Sequence, residues 1–309
     1  MSYKYLFGPV PSRRLGTSLG IDIIPYKTCT LNCVYCECGN TTELTVERKE
    51  YTPTGKVIAE LDDLLSKGPH IDYLTFSGSG EPTLHKGLGK MVSFLKDRYP
   101  NYKIALLTNG TLFYDPKVRI EVIGCDVILP SLDAGTKECL EGINRPHPNI
   151  TIQRLVEGLK ELRKEFKGEI WLEVLIVPGM NDGKAELEAI NKHISEIRPD
   201  KVQINSLDRP ATEIWVEPVD QDALERIADY LGGEIIGRPS SIREADSFDE
   251  SVLERIISTI RRRPCTTEDL TKILNVHVNE VNKYLNYLED SGKIESERRE
   301  RGIFFKMKR

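Results

Sequence analysis

The sequence predicts an α/β fold in which six strand–helix units form a (βα)6 partial barrel, followed by a smaller C-terminal domain. Short runs rich in β-branched residues alternate with helical patterns, as expected for parallel βα units. The segment 170–177 (IWLEVLIV) is apolar almost throughout, which is typical of a strand buried on both faces. A chain of 309 residues is long enough for one large and one small domain. We place the barrel at residues 1–240 and the C-terminal domain at residues 241–309.

The elements of the predicted barrel alternate along the chain. Strands are predicted at 19–24, 73–76, 104–107, 127–130, 170–177 and 202–205. Helices are predicted at 56–65, 88–98, 116–123, 152–166, 187–197 and 221–231. In barrels of parallel strands the functional residues gather at the carboxyl ends of the strands. Polar residues that directly follow these strands are therefore the candidates for a site.

The C-terminal residues follow a different pattern. A stretch rich in glycine, proline and serine at 233–247 predicts a linker. Three amphipathic helices and a hairpin are then predicted in the segments 252–260, 266–274, 278–288 and 293–306. Three helices followed by a hairpin resemble a winged helix-turn-helix domain.

That resemblance implies two kinds of partner. In DNA-binding winged helices the third helix enters the major groove and its outward side chains contact bases. Here those side chains would be Asn279, Asn282, Lys283 and Asn286, with Arg298, Arg299 and Arg301 near the wing. Winged helices also serve as docking modules for proteins. From the sequence, nucleic-acid contact and docking both remain open.

Composition excludes several classes of protein. Hydrophobic residues make up 39% of the chain and charged residues 29%, which excludes disorder as the main state. No run of 18 apolar residues is present, so no spanning helix is predicted. The N-terminus lacks the apolar core of a signal peptide, and we expect a cytoplasmic protein. A net charge of −5 argues against broad coating of nucleic acid.

Four of the seven cysteines fall within ten residues, at Cys29, Cys33, Cys36 and Cys38. In a reducing compartment such a cluster is expected to hold metal rather than disulfides. Zinc sites often take two short cysteine pairs that lie far apart in sequence, and no second pair follows here. The crowded spacing favours an iron–sulfur cluster.

The spacing Cys29-x3-Cys33-x2-Cys36, with Tyr35 before the last cysteine, resembles the CxxxCxxC loop of radical S-adenosylmethionine (SAM) enzymes. The resemblance implies that these three cysteines hold a [4Fe–4S] cluster whose remaining iron is chelated by SAM. Cys38 is expected to neighbour the cluster rather than to bind it. If Cys38 did close the open iron, SAM would have no site there.

Residues after the second, third and fourth strands complete the implied SAM site. The segment Ser77–Pro82 (SGSGEP) resembles the Gly-Gly-Glu-Pro element of the superfamily, which contacts the methionine end of SAM. The predicted cofactor-binding residues are Ser79, Gly80, Glu81, Asn109, Ser131, Asp133 and Tyr35, with Ser131 preferred for the ribose. Glu173, Gln203 and Asn205 on later strands would meet ribose hydroxyls or find partners within the protein.

Four basic or titratable residues are candidates for a substrate pocket: Arg13, Arg14, Arg145 and His147. The arginines match the geometry of a carboxylate or a phosphate. Surface salt bridges explain the same residues equally well. No pair among them specifies a substrate.

The match extends beyond the cysteine loop. GPVPSRRLGTSLGID followed by IPYKTCTLNCVYCECG resembles prokaryotic radical SAM proteins described as Fe–S oxidoreductases, distantly related to tRNA wybutosine-synthesising enzymes. Because no cysteine precedes Cys29, a single cluster is expected. The resemblance implies hydrogen abstraction by a 5′-deoxyadenosyl radical, an electron donor of the flavodoxin or ferredoxin type, and an unidentified substrate such as tRNA or another macromolecule.

Two other functions remain open from the sequence. One is an activase that installs a radical on a partner protein, with the C-terminal domain as its docking module. The other is a non-enzymatic Fe–S sensor that regulates DNA binding through that domain. The sensor would have no need of the Ser79–Glu81 element.

Overall fold

The strands and helices were located in a computed structural model, which describes residues 3–207, 211–236, 250–274, 276–299 and 302–308. The strands are β1 Leu6–Ser12, β2 Gly16–Ile21, β3 Thr28–Cys29, β4 Glu43–Leu44, β5 Tyr73–Phe76, β6 Lys103–Thr108, β7 Val127–Pro130, β8 Glu169–Leu175, β9 Lys201–Asn205, β10 Glu234–Ile235, β11 Cys265–Thr266, β12 Ile294–Arg299 and β13 Gly302–Met307. The helices are α1 Thr54–Leu65, α2 Leu88–Arg98, α3 Pro116–Val122, α4 Lys137–Ile143, α5 Ile152–Glu165, α6 Lys184–Ile197, α7 Gln221–Leu231, α8 Glu250–Arg262, α9 Thr267–Leu274 and α10 Val278–Asp290.

One sheet carries the predicted barrel, with strand order β1-β2-β5-β6-β7-β8-β9-β10. All neighbours from β2 to β10 are parallel, so their carboxyl ends lie at one rim. β1 is antiparallel to β2 and was not predicted, because its proline-containing sequence GPVPS was interpreted as a loop. The α/β fold with a mostly parallel sheet confirms the predicted fold class.

The two faces of the sheet bury different clusters. Ile104, Leu106 and Ile128 pack against the helices in the main core. Their neighbours point the other way, because side chains alternate along a strand. On that inner face Ala105, Val127, Leu129 and Trp171 form a second cluster with Leu15. Leu15 lies in the turn between β1 and β2, so this turn fills the amino end of the inner face.

The C-terminal unit comprises the described residues from 250 onward, which form three helices and an antiparallel sheet of order β11-β13-β12. It buries its own cluster, which includes Ile256, Val281 and Tyr284. α9 starts where Thr266 and Asp269 cap one another, each side chain accepting from the other's backbone N–H at 3.1 Å. Of the predicted linker, β10 takes the first part, and 237–249, with the boundary near 240, lies outside the described residues.

Within the described ranges, no helix has the length and apolar character needed to cross a membrane.

Candidate functional site

The cysteine loop, residues 22–45, follows β2 and therefore lies at the carboxyl rim of the sheet. The end of α4 holds the cysteine loop through backbone hydrogen bonds. Asn32 and Val34 donate their N–H groups to the carbonyls of Asn144 and Ile143, each at 2.9 Å. α4 itself was not predicted, because seven residues capped by Thr136 are too short for a clear helical period. The predicted cysteine loop thus receives support from a helix that the sequence pattern did not indicate.

Two of the three predicted ligand thiols each lie near a side-chain amide. Asn109 Nδ2 is 3.5 Å from Cys29 Sγ, and Asn144 Nδ2 is 3.4 Å from Cys33 Sγ. Burial raises the pKa of both thiols, that of Cys29 to about 12. Such thiols become thiolates only when a metal replaces the proton. The two amide donors then compensate part of the buried negative charge.

The third thiol lies near an ammonium group. Lys27 Nζ donates to Cys36 Sγ at 2.9 Å from a buried side chain. A hydrogen bond with Cys38, together with the nearby Lys27, lowers the pKa of Cys36 to about 5 despite its burial. The same hydrogen bond and burial raise the pKa of Cys38 well above its usual value. Cys38 therefore lies directly beside Cys36, on the side of the loop where Tyr26 donates to the Cys38 carbonyl at 2.5 Å.

This donor set fits an iron–sulfur cluster better than a lone ion. Across the described residues, no group of three or more His, Cys, Asp or Glu side chains is arranged to hold a metal ion. In a [4Fe–4S] cluster each thiolate binds a different iron. Three thiols, each near an N–H donor from a different part of the chain, would supply ligands for three of the four irons.

The glycine loop, residues 77–81, follows β5 and packs directly on the cysteine loop. Ser79 donates from its backbone N and its hydroxyl to Asp22 Oδ2, at 3.1 and 3.0 Å. A Cβ on Gly78 would lie 2.1 Å from the Asp22 carboxylate carbon, and one on Gly80 would lie 2.4 Å from the Thr28 carbonyl oxygen. Both positions therefore require glycine for the two loops to meet.

The Glu81 carboxylate is buried and fully engaged by the protein. It accepts from Thr83 N at 3.0 Å and Thr83 Oγ1 at 2.6 Å. It also accepts from Thr108 Oγ1 at 2.6 Å and from Asn109 N at 2.8 Å. Burial raises its pKa, against the effect of these hydrogen bonds. An ammonium group arriving at this carboxylate would have to displace one of four donors.

Asp133 links the end of β7 to the cysteine loop. Its carboxylate accepts from Tyr35 OH at 2.5 Å, from Asn144 Nδ2 at 2.8 Å and from Leu175 N at 2.9 Å. Burial raises its pKa despite these donors. Ser131, two residues earlier, is half-buried and pairs with β8 through a backbone bridge to Glu173. Asp133 therefore fixes the positions of Tyr35 and Asn144 by hydrogen bonds, while Ser131 is more exposed to solvent.

Two buried acceptors near this rim have no hydrogen-bond partner among the described residues, Gln203 Oε1 and Asn144 Oδ1. Asn144 Oδ1 is on a side chain only 2% exposed, whose amide nitrogen contacts both Cys33 and Asp133. Buried polar atoms are nearly always hydrogen-bonded in complete structures. A ligand with hydroxyl or amine donors, as SAM has, would satisfy this oxygen.

The predicted substrate residues fall into two places. Arg145 and His147 follow α4 beside the cysteine loop, where Arg145 Nη1 binds Glu213 at 2.5 Å and His147 N donates to Thr30 O at 2.9 Å. Arg13 and Arg14 lie in the β1–β2 turn, at the amino end of β2. The structure therefore does not place the four residues on one loop surface.

The polar residues on the later strands have partners within the protein. Arg14 forms a largely buried ion pair with Glu173, and burial lowers the pKa of Arg14 to about 10. Gln203 Nε2 donates to Glu234 at 3.0 Å, and Asn205 Oδ1 accepts from the following backbone N. Each of the three side chains thus has an internal partner, but Gln203 Oε1 is buried without one among the described residues, so both outcomes that the sequence left open still stand for Gln203.

Arg14→Met is expected to lower the free energy of unfolding by about 3 kcal/mol, because it leaves the Glu173 carboxylate buried without its cation. Arg98→Met is the matched control, since Arg98 and Asp62 form a solvent-exposed pair that contributes little to stability. Urea denaturation measures both variants. Equal losses in the two variants would show that Glu173 is not dependent on Arg14.

The segment 211–219 covers the cysteine loop and was not singled out in the sequence. Thr212 Oγ1 donates to the Cys36 carbonyl at 2.7 Å, and Glu213 N donates to the Val34 carbonyl at 3.0 Å. Sequence reasoning also missed Lys27 and Asn144. Proximity to the cysteines was a usable signal for Lys27, whereas Asn144 is distant in sequence and had none.

Comparisons with known proteins agree with this geometry. The model of the radical SAM superfamily matches residues 23–189. A UPF0026 protein of Methanocaldococcus jannaschii is 32% identical over 305 residues, which cover 93% of this chain and 94% of that protein. A Brachyspira hyodysenteriae protein named GTPase Obg is 36% identical over 298 residues, or 95% of this chain, and the match spans 44% of that longer protein.

A solved structure shares the fold. The crystal structure of a radical SAM methyltransferase from Sphaerobacter thermophilus superposes with a TM-score of 0.56 at 18% identity, over 71% of this chain and 65% of that chain. The family match, the full-length relative and the shared fold point to one conclusion. The chain belongs to the radical SAM superfamily, and among its enzymes, which bind a [4Fe–4S] cluster and SAM, it groups with the UPF0026 proteins.

Proposed function

We propose that this enzyme holds a single [4Fe–4S] cluster on Cys29, Cys33 and Cys36 and uses SAM to abstract hydrogen from a macromolecular substrate. tRNA is the first substrate to test, because of the distant resemblance to tRNA wybutosine-synthesising enzymes. An electron donor of the flavodoxin or ferredoxin type completes the proposed system.

The observation that carries the proposal is the pairing of the three thiols with three separate N–H donors. When bound, the cluster supplies the electron that cleaves SAM into methionine and a 5′-deoxyadenosyl radical. The negative charge of the thiolates would be compensated by hydrogen bonds from Asn109, Asn144 and Lys27. Hydrogen bonds from the protein have this role around metal ligands generally. Cys38 is a neighbour in this arrangement and not a ligand.

The remaining rim residues are assigned to SAM. The backbone of Ser79 and Gly80 would receive the methionine end, and Asn109 and Ser131 would face the ribose and sulfonium region. Glu81 and Asp133 would act by holding these elements in place, since their carboxylates already accept hydrogen bonds from the protein. The buried acceptor Asn144 Oδ1 is the group we expect SAM to satisfy. Arg145 and His147, beside the cysteine loop, are the nearer candidates for substrate contact.

We also propose that the C-terminal unit is a winged helix. Its order of elements supports this: a helix, a short strand, two helices and a hairpin, with the short strand paired to the last strand of the hairpin. The domain boundary near residue 240 stays part of this proposal.

The test is anaerobic reconstitution with iron and sulfide, followed by dithionite and SAM, with 5′-deoxyadenosine measured by mass spectrometry. Formation that requires both the cluster and dithionite is the expected result. The same protein kept free of iron is the control. Adding tRNA is expected to accelerate formation. A reconstituted cluster that yields no 5′-deoxyadenosine with or without tRNA or protein extract would overturn the proposed function.

A further inference from the structure

We propose that His277, on the C-terminal unit, is a positioning residue for the glycine loop and acts through Asp22. The inference rests on the proposed function only where it assigns the glycine loop to SAM. It concerns a contact between two parts of the chain that are more than 250 residues apart.

His277 bridges α10 and the barrel with its two ring nitrogens. It caps α10, where Nδ1 accepts from the backbone N–H of Asn279 at 3.2 Å. Nε2 lies 2.9 Å from Asp22 Oδ2. Because Nδ1 is an acceptor, the proton of the neutral ring is assigned to Nε2, which donates it to the Asp22 carboxylate.

The barrel contacts the His277 ring through a stacked aromatic side chain. The Phe7 ring stacks on the His277 ring with centroids 4.8 Å apart and planes within 5°. Phe7 in turn occupies the space of a missing side chain, since a Cβ on Gly20 would lie 1.9 Å from the Phe7 ring. The stacked ring and the carboxylate together make the contact specific for an aromatic hydrogen-bond donor.

The same carboxylate oxygen holds the glycine loop. Asp22 Oδ2 accepts from His277 Nε2 and from both the backbone N and the hydroxyl of Ser79. Asp22 is only 7% exposed, so water does not readily replace a lost donor. The other oxygen accepts from Ile24 N at 3.3 Å. Removing the His277 side chain therefore leaves the Asp22 carboxylate with one hydrogen-bond donor fewer. Asp22 is then less fixed in position and holds Ser79 less firmly.

A second contact of the C-terminal unit leads to the cysteine loop. Arg298 donates to the carbonyls of Ala211 and Thr212, at 3.1 and 2.7 Å. Thr212 is the residue whose hydroxyl donates to the Cys36 carbonyl. The two contacts thus connect the C-terminal unit to the two loops of the proposed site. They also engage the amino end of α10 and an arginine near the wing, which are the parts that DNA-binding relatives turn toward DNA.

The experiment compares the full-length wild type with His277→Asn. Asparagine caps helices well, so α10 keeps its start, but the shorter side chain loses Asp22 and the stack on Phe7. In cluster-free protein, hydrogen exchange of peptides containing Ser79 is expected to accelerate about tenfold, with Asn279 still protected. In reconstituted protein, the Kd for SAM is expected to rise about tenfold at unchanged iron content.

Lys306→Gln is the matched control, because it changes a side chain of the same unit whose ion pairs are with Glu295 and Glu297 on the neighbouring strand β12. It is expected to leave Ser79 exchange and SAM affinity as in the wild type. Unchanged exchange at Ser79 in His277→Asn would overturn the inference. Faster exchange in that variant, with a wild type that binds no SAM, would support the positioning of Ser79 and refute the proposed function instead.

Discussion

Cys33→Ala is expected to reduce 5′-deoxyadenosine formation to background, whereas Cys38→Ala retains it. Cys33 is half-buried beside the Asn144 amide, and its loss removes one of three thiolates that the proposed cluster needs. Cys29→Ala and Cys36→Ala are expected to behave in the same way. Iron content and visible absorption after anaerobic reconstitution measure cluster binding, and mass spectrometry measures the product.

Cys38→Ala is the matched control, because Cys38 lies on the same loop and hydrogen-bonds to Cys36. Full activity in Cys33→Ala would remove that residue from the proposed ligands. Loss of the cluster in Cys38→Ala would place Cys38 among the ligands and leave no open iron for SAM. The two variants therefore also separate the enzyme from an Fe–S sensor with a closed cluster.

Gly80→Ala is expected to weaken SAM binding by about a hundredfold while the cluster still assembles. The added Cβ would lie 2.4 Å from both the Thr28 carbonyl oxygen and Ile24 Cγ2, so the glycine loop must move off the cysteine loop. Glu81 N, which donates to that carbonyl at 3.1 Å, would move with it. Equilibrium binding of SAM to reconstituted protein measures the effect.

Gly55→Ala is the control for Gly80→Ala, because a Cβ there meets nothing within 4 Å. It is expected to bind SAM as the wild type does. Wild-type affinity in Gly80→Ala, with a normal cluster, would show that SAM does not rest on the glycine loop. Loss of the cluster would instead show that the two loops fold as one unit.

Local sequence signals predicted much of the barrel. The strands at 73–76 and 127–130 and the helices at 88–98 and 221–231 have the predicted bounds. The two strands are short apolar runs and the two helices have a clear helical period. The predicted first strand, 19–24, was wrong at both ends: β2 is Gly16–Ile21. Its early residues are set by pairing with β1, which no local pattern indicated.

The two loops of the candidate site could be located from the sequence, whereas the residues that hold them in place could not. Cysteine spacing and the glycine loop are contiguous in sequence, so they could be recognised directly. Asp22, Asn144 and His277 act on partners that only the fold brings near, and a single sequence contains no signal for such pairs. The hydrogen bond from Thr108 to the Glu81 carboxylate is of the same kind.

The turn between β1 and β2 affects the side from which ligands can reach the inner face of the sheet. Leu15 packs among Val127, Leu129 and Trp171, so the turn fills the inner face of the sheet at its amino end. In the proposed arrangement, SAM and substrate must then share the rim that carries the cysteine loop. In that arrangement SAM would contact the cysteine loop directly, so we expect it to bind before the substrate.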